Sequence, residues 1–265
     1  MPTNFKQNNL HFHADDFGLL PQGDAAILEL LSAGSLDGTS VMINRVSAEN
    51  IVKLRELRRR RNFCLGLHLD AHGAVIPKID IAKEECLSFI IKHGLSLSFS
   101  GRLRRQARLV WEKQIHDFYT KFGQVPDQLE AHQHRNFHPL LFPIICSLAI
   151  KYKIPKIRVG KKIAPWRYWR GCSRAYVINF LLWINRHQKK FKEVSRSCST
   201  SGYVFSLDWI FPKSGKEKTR AALRELAAQP TEVIFHPAKS LPGQKEYPFL
   251  AERYEQYDFL QEFSN

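Results

Sequence analysis

Leu10, Phe12 and Ala14 alternate with His11 and His13, a period of two that predicts a strand with unlike surroundings on its two faces. Over residues 24–33 the apolar positions recur at helical spacing and stop at Gly34, where a glycine can end a helix. Together these make one βα unit. The pattern then predicts strands at 38–43, 63–69, 128–132, 156–159 and 233–235. Helices are predicted at 48–59, 106–122, 139–151 and 217–228. Strands that alternate with helices pair in parallel, so the chain is expected to be an α/β protein, a sheet or barrel covered by helices. No repeat or low-complexity linker divides it, which predicts a single domain over residues 1–265.

In parallel α/β folds the reacting groups gather at the carboxyl ends of the strands, where the βα loops converge. Four such ends carry candidate chemistry: Asp15 and Asp16 in Ala14-Asp15-Asp16-Phe17-Gly18, His68 in Gly66-Leu67-His68-Leu69, His132 and His134 in Ala131-His132-Gln133-His134, and His236 in Phe235-His236-Pro237. Taken alone, the Asp-Asp pair serves equally well as a cap for the next helix, and a single histidine is more often structural than a ligand. The joint pattern points to a metal hydrolase. Carboxylate and neutral imidazole suit a borderline ion, and three protein ligands leave a position for the attacking water. No Gly-x-Ser-x-Gly elbow suggests a covalent route. His11 and His13 read as structural, His116 and His187 as solvated helix positions, and His138 as a turn residue before Pro139.

The chain has 265 residues, 44 % of them hydrophobic, which is enough to build a core and exclude disorder. Its five cysteines, Cys64, Cys86, Cys146, Cys172 and Cys198, show no CxxC spacing and mostly lie in apolar runs. Reduced thiols in a reducing compartment are expected, with no disulfide framework and no thiolate metal site. The first residues carry no apolar signal core, so a cytoplasmic protein is expected. The formal charge of +15 favours polyanionic partners.

The four strand-end motifs, in this order and with Leu129-Glu130 preceding Ala131, resemble those of the YdjC-like (ChbG/HpnK-type) carbohydrate deacetylases over about residues 8–240. The resemblance implies an irregular (β/α) barrel of the NodB, polysaccharide-deacetylase type and hydrolysis of the N-acetyl group of an amino sugar. It also implies one divalent metal ion, zinc first, with magnesium, manganese or cobalt as alternatives. Position by position, Asp16, His68 and His132 match the metal ligands, and Asp15 matches the general base. His236 matches the histidine that protonates the leaving amine. Arg158 falls where the family has an arginine near the mouth. Glu130, His134 and His72 are expected at the substrate. Glu130, Asp70, Asn136, Phe235 and Ala238 depart from the usual family residues, none at a proposed ligand.

Residues 175–184 are almost continuously apolar, about half the ~20 needed to span a bilayer. Lys161, Lys162, Arg167, Arg170 and Arg174 precede them; Arg186, Lys189, Lys190 and Lys192 follow; Trp166, Tyr168, Trp169 and Trp183 are interleaved. A basic, aromatic insertion at about residues 161–200, facing the cytoplasmic leaflet, is the expectation, against the plainer one of a barrel helix with a solvated basic end. Arg58–Arg61 and Arg102–Arg108 add positive charge. A branch of the resembling family deacetylates N-acetylhexosamine on undecaprenyl phosphate, on the way to amine-modified lipid A. A lipid-linked amino sugar and an anionic membrane surface are therefore the expected partners. The alternatives are a soluble chito-oligosaccharide, a formyl instead of an acetyl group, a nucleic-acid-binding module, for which no motif is present, and an inactive barrel kept for interaction.

Overall fold

The computed structural model describes residues 9–72, 75, 100–159, 162–163, 173–209, 211–247 and 249–264. Cys86, Cys172, Lys161 and the run 164–172 with its tryptophans lie outside them, as do the side chains of Lys162 and Arg174. The chain alternates as the hydrophobic pattern predicts: β1 (Leu10–Phe17), α1 (Pro21–Ala33), β2 (Gly38–Val41), α2 (Ala48–Arg60), β3 (Cys64–Leu69), α3 (Gly101–Phe122), β4 (Gln128–Ala131), α4 (Phe142–Lys151), β5 (Lys156–Ile157), β6 (Lys162–Ile163), α5 (Ser173–Arg186), α6 (Lys189–Ser197), β7 (Ser199–Thr200), β8 (Tyr203–Ser206), α7 (Phe211–Leu226), β9 (Thr231–Phe235) and α8 (Leu250–Gln261). α6, α8 and the short strands β6 to β8 are absent from the sequence-based reading. Two-residue strands carry no period to detect.

All pairings are parallel, in the order β6-β8-β9-β1-β2-β3-β4-β5-β7. The sheet is rolled. Gln128 on β4 donates to Glu232 on β9 at 2.6 Å, although three strands stand between them. Four steps of about 4.8 Å along a flat sheet would separate them by roughly 19 Å. Ser201 and Gly202 alone join β7, at one edge, to β8 near the other, so the two edges lie side by side. This is the single-domain, irregular (β/α) barrel expected.

The two faces of β1 differ as its alternation requires. Phe12 points outward and packs its ring against Phe235 and Phe263, at 5.2 and 5.5 Å. His13 points inward and meets Ser40 and Glu130. Apolar side chains fill the layer between strands and helices, among them Trp111, Phe118, Phe142 and Phe259. The barrel interior is polar and buried instead, with His13, Asp15, Ser40, Gln128, Glu130, Arg158 and Glu232. Cys64, Cys146 and Cys198 are free thiols.

Candidate active site

In regular strand geometry Asp15 and Asp16 would point to opposite faces. The pairing of β1 with β2 is interrupted between Ala14 and Phe17, and Asp16 adopts φ 66°. That bulge and left-handed residue turn both carboxylates inward. A non-glycine residue in this region costs about 1–3 kcal/mol and tends to persist where function holds it. Gly18 completes the turn at φ 100°, where a Cβ would sit 2.8 Å from Val46. The aspartates do not cap α1: its cap position is Leu20, without a side-chain hydrogen bond. Asp24 ties the turn instead, accepting from Gly18 N–H at 2.5 Å and from the Asn50 amide at 2.6 Å. Burial pushes Asp24 up to about 6, against those hydrogen bonds.

Asp16, His68 and His132 converge from β1, β3 and the turn after β4. Asp16 Oδ1 lies 3.0 Å from His132 Nδ1 and 3.3 Å from His68 Nε2, and the two histidine nitrogens are 3.3 Å apart. All three side chains are buried. Gln133 and His134, at φ 57° and 55°, turn the chain sharply just beyond His132. Behind His68, Glu130 Oε1 stands 3.2 Å from Nδ1 and orients the ring so that Nε2 faces the cluster. One carboxylate and two imidazoles, backed by a second carboxylate, match the donor set of a borderline divalent ion. Arg253 on α8 donates to Asp16 Oδ2 at 2.9 Å. Burial opposes ionisation of Asp16, but His132, His68 and Arg253 hold its carboxyl well below the ordinary range.

Two proton-handling groups flank the trio. Asp15 receives a two-pronged hydrogen bond from Arg158, at 2.6 and 2.8 Å. Burial pushes Asp15 up, yet Arg158 and His68 bring it down to about 2. Opposite, His236 Nδ1 meets Asp208 Oδ2 at 2.8 Å and its Nε2 lies 3.9 Å from Asp16 Oδ2. Burial lowers His236, but Asp208 outweighs it and the imidazole ends above its ordinary value. The Gln256 side chain spans this pair, donating to Asp208 and accepting from His236 N–H.

Asp15, Asp16, His68, His132, Gln133, His134, Asp208, His236 and Arg253 line one cavity of about 40 Å³, room for an ion and a water. His134 is at its wall, stacked on Phe137. Three residues expected at or near the substrate do not line the cavity: Arg158 and Glu130 are drawn into ion pairs in the rolled interior, and His72 into a local pair with Asp70 beyond the end of β3. Arg158, 1 % exposed, joins Asp15, Glu130 and Glu232. Glu130 is shared between Arg158 and His68. His72 pairs with Asp70 at 2.7 Å and sets its ring edge-on against His132. Residues 199–202 belong to the other end of the barrel, where Ser201 donates to Glu232. Asp208, Arg253 and Gln256 escaped the sequence reading. Asp208 follows a short strand, and a helix 12 residues long hides two polar residues that face inward.

The family model for YdjC-like protein matches residues 9–263. The chain belongs to the YdjC-like family. Among curated relatives, the carbohydrate deacetylase of Halalkalibacterium halodurans is 26 % identical over 163 residues, 58 % of this chain and 64 % of its own. The chitooligosaccharide deacetylase of Serratia marcescens is 25 % identical over 164 residues, 58 % of this chain and 60 % of its own. The YdjC-like chain thus spans about three-fifths of the length of these relatives. Among solved structures, a putative cellobiose-phosphate cleavage protein from Enterococcus faecalis superposes with a TM-score of 0.62 over 96 % of this chain and 91 % of that one. At 18 % identity it shares the fold.

Proposed function

We propose that this YdjC-like protein is a metal-dependent N-deacetylase of amino sugars. The observation that carries the reading is the pair of groups flanking one ligand trio: Asp15 held by Arg158, which keeps its carboxyl low, and His236 held against Asp208, which raises its imidazole above the ordinary value. Neighbouring titratable groups whose environments push them apart are the usual sign of assigned base and acid. The trio of Asp16, His68 and His132 suits zinc, with cobalt, manganese or magnesium as the competitors that metal analysis would distinguish. When bound, such an ion polarises the acetyl carbonyl and lowers the pKa of its water towards ~7.

Asp15 is placed to accept the proton of the water that attacks the carbonyl carbon. Arg158 keeps Asp15 ionised and aimed, so the carboxylate is ready throughout the working range. His236 has its Nδ1 committed to Asp208, which leaves Nε2 to protonate the sugar nitrogen as the C–N bond breaks. Acetic acid and the free amine result, and the proton taken by Asp15 returns to His236 by way of solvent, which restores both groups. The small cavity suits the acetyl end of the substrate.

For the substrate, we propose an amino sugar carried on a polyprenyl phosphate at the cytoplasmic face of a membrane, for envelope modification. Support comes from α5. Tyr176, Val177, Phe180 and Trp183 are 48–59 % exposed at a one-, four- and seven-residue spacing, with Phe180 and Trp183 stacked. Arg186, Lys189 and Lys190 follow, and each basic group near an anionic surface contributes on the order of 1 kcal/mol. No helix among the described residues is long and apolar enough to cross a membrane, so the contact would be interfacial. The name of the Serratia relative supports a soluble chito-oligosaccharide instead. Competing the two substrates in one assay decides: faster turnover of N-acetylglucosamine oligomers than of polyprenyl-phosphate N-acetylhexosamine sinks the lipid-linked choice, and loss of neither activity in Asp15→Asn sinks the deacetylase reading.

A further inference from the structure

The inward row of β1 continues from Asp15 away from the active-site mouth, through His13 to His11. Beside it lies Cys64, the first residue of β3. One nitrogen of each histidine and the Cys64 sulfur all lie within 4.8 Å of one another. We propose that His11, His13 and Cys64 form a second metal site, at the amino end of the barrel, for a borderline or soft ion such as zinc.

The row is built for this approach. His13 on β1 pairs in register with Gly38 on β2, and Gly38 pairs with Cys64 on β3. His13 and Cys64 therefore stand two strands apart with only a glycine between them. A Cβ at Gly38 would lie 2.7 Å from both the Cys64 Cβ and His13 Nδ1. The backbone there does not ask for glycine, since its φ lies outside the left-handed region. The space between the two side chains does.

The donor atoms are also prepared. His13 Nε2 is 2.7 Å from Ser40 Oγ and 3.8 Å from Glu130 Oε1, oxygens able to receive a ring hydrogen carried on that nitrogen. Nδ1 then presents a lone pair towards His11 Nε2, 3.5 Å away. That separation exceeds the usual 2.7–3.2 Å of a hydrogen bond. It is close to the roughly 3.3 Å between two nitrogens held at about 2.0–2.1 Å in a tetrahedral zinc site. Both imidazoles are held neutral, His11 by burial and then Lys156, His13 by burial and then Arg158. Neutral imidazole is the ligating form.

The Cys64 thiol is pushed up to about 12 by burial, so binding must release its proton. A depression of about 610 Å³ lined by His11, Asp37, Arg58, Cys64 and Asp127 opens the site to solvent, where the proton and a fourth, water ligand can exchange. Thiolate with two imidazoles selects against magnesium and calcium, which prefer oxygen. Such an ion would clamp β1 to β3 across β2 and close the amino end of the barrel.

Cobalt(II) titration of the metal-stripped protein separates this site from the Asp16 centre, which contains no sulfur. The expected result is two equivalents bound, one of them with sulfur-to-cobalt charge-transfer absorption in the near ultraviolet. Cys64→Ser should remove that band and one equivalent, and His11→Gln should weaken that equivalent at least tenfold. His132→Ala should keep the band while losing the other equivalent. Circular dichroism establishes that each variant is folded, and His11→Gln serves if Cys64→Ser is not. A single equivalent without the band, or a band that survives Cys64→Ser, overturns the proposal.

Discussion

At the carboxyl end of the barrel interior the inward side chains are Asp15, Asp16, His68, His132 and His236; a few residues earlier on the same strands they are His11, His13 and Cys64. Asp15, Asp16, His68 and His132 are buried while His11 and Cys64 are half-buried beside His13, and the two ends differ in charge. The upper end keeps its carboxylates ionised because each is answered: Asp15 by Arg158, Asp16 by Arg253, and Asp208 by His236. At the lower end burial prevails, leaving imidazoles neutral and a thiol protonated. A buried charge survives only where its partner is brought to it, and the upper end is reached by Arg158, just past β5, and by Arg253 on α8.

The largest effect should come from emptying the upper end. Chelation of the wild-type protein, or His132→Ala, is expected to bring amino-sugar deacetylation to background, with divalent metal restoring the chelated wild type alone. Equal activity after exhaustive chelation would remove the metal from the reaction. Next, Asp15→Asn and His236→Ala are each expected to lower kcat by about 10²–10⁴-fold while metal content stays constant. A fall in metal content to match would reassign them as ligands.

Arg158→Ala tests whether pairing is what separates the two ends. It leaves the buried carboxylates of Asp15, Glu130 and Glu232 without their shared cation, and should cost about 3–5 kcal/mol in urea unfolding. An unfolding midpoint like that of the wild type would mean that the interior is wetter than its burial implies. The smallest change concerns Asp208→Asn. Because the folded His236 is raised above its ordinary value, its charged form is present below that raised value and is lost as pH climbs through it. The rate should therefore fall on the alkaline side, and in Asp208→Asn that limb should move to lower pH. A limb at the same pH in both proteins would separate His236 from the acid role.

Element types followed from local pattern in β1 to β4, in α1 to α4 and in α7 and β9, but not in the 12-residue α8. The period-two run of β1 and the 22-residue α3 were both readable, although α3 begins at Gly101, five residues before its predicted start. Ser100 caps it by accepting from Leu103 N–H, a signal that the charged residues 102–108 obscured. The candidate site was readable for a different reason: strand ends in a parallel fold must face one mouth, so Asp16, His68, His132 and His236 could be grouped before their distances were known. Glu130 and Arg158 were placed in the right neighbourhood but at the wrong depth. Depth depends on how tightly the sheet rolls, and no local period encodes that.

The alternation of Leu10 to Ala14 already decides that His11, His13 and Asp15 share one face, since side chains in a strand take turns by geometry. It does not decide that Asp16 joins them. That required the bulge against β2 and a left-handed backbone, which only the packing of the following turn against Val46 supports. Nor could the chain announce that Arg253, 237 residues away, would donate to Asp16, or that a bare Gly38 would let His13 and Cys64 meet. Residue type and period are local quantities. Which buried charge finds its partner is set by the closure of the whole barrel.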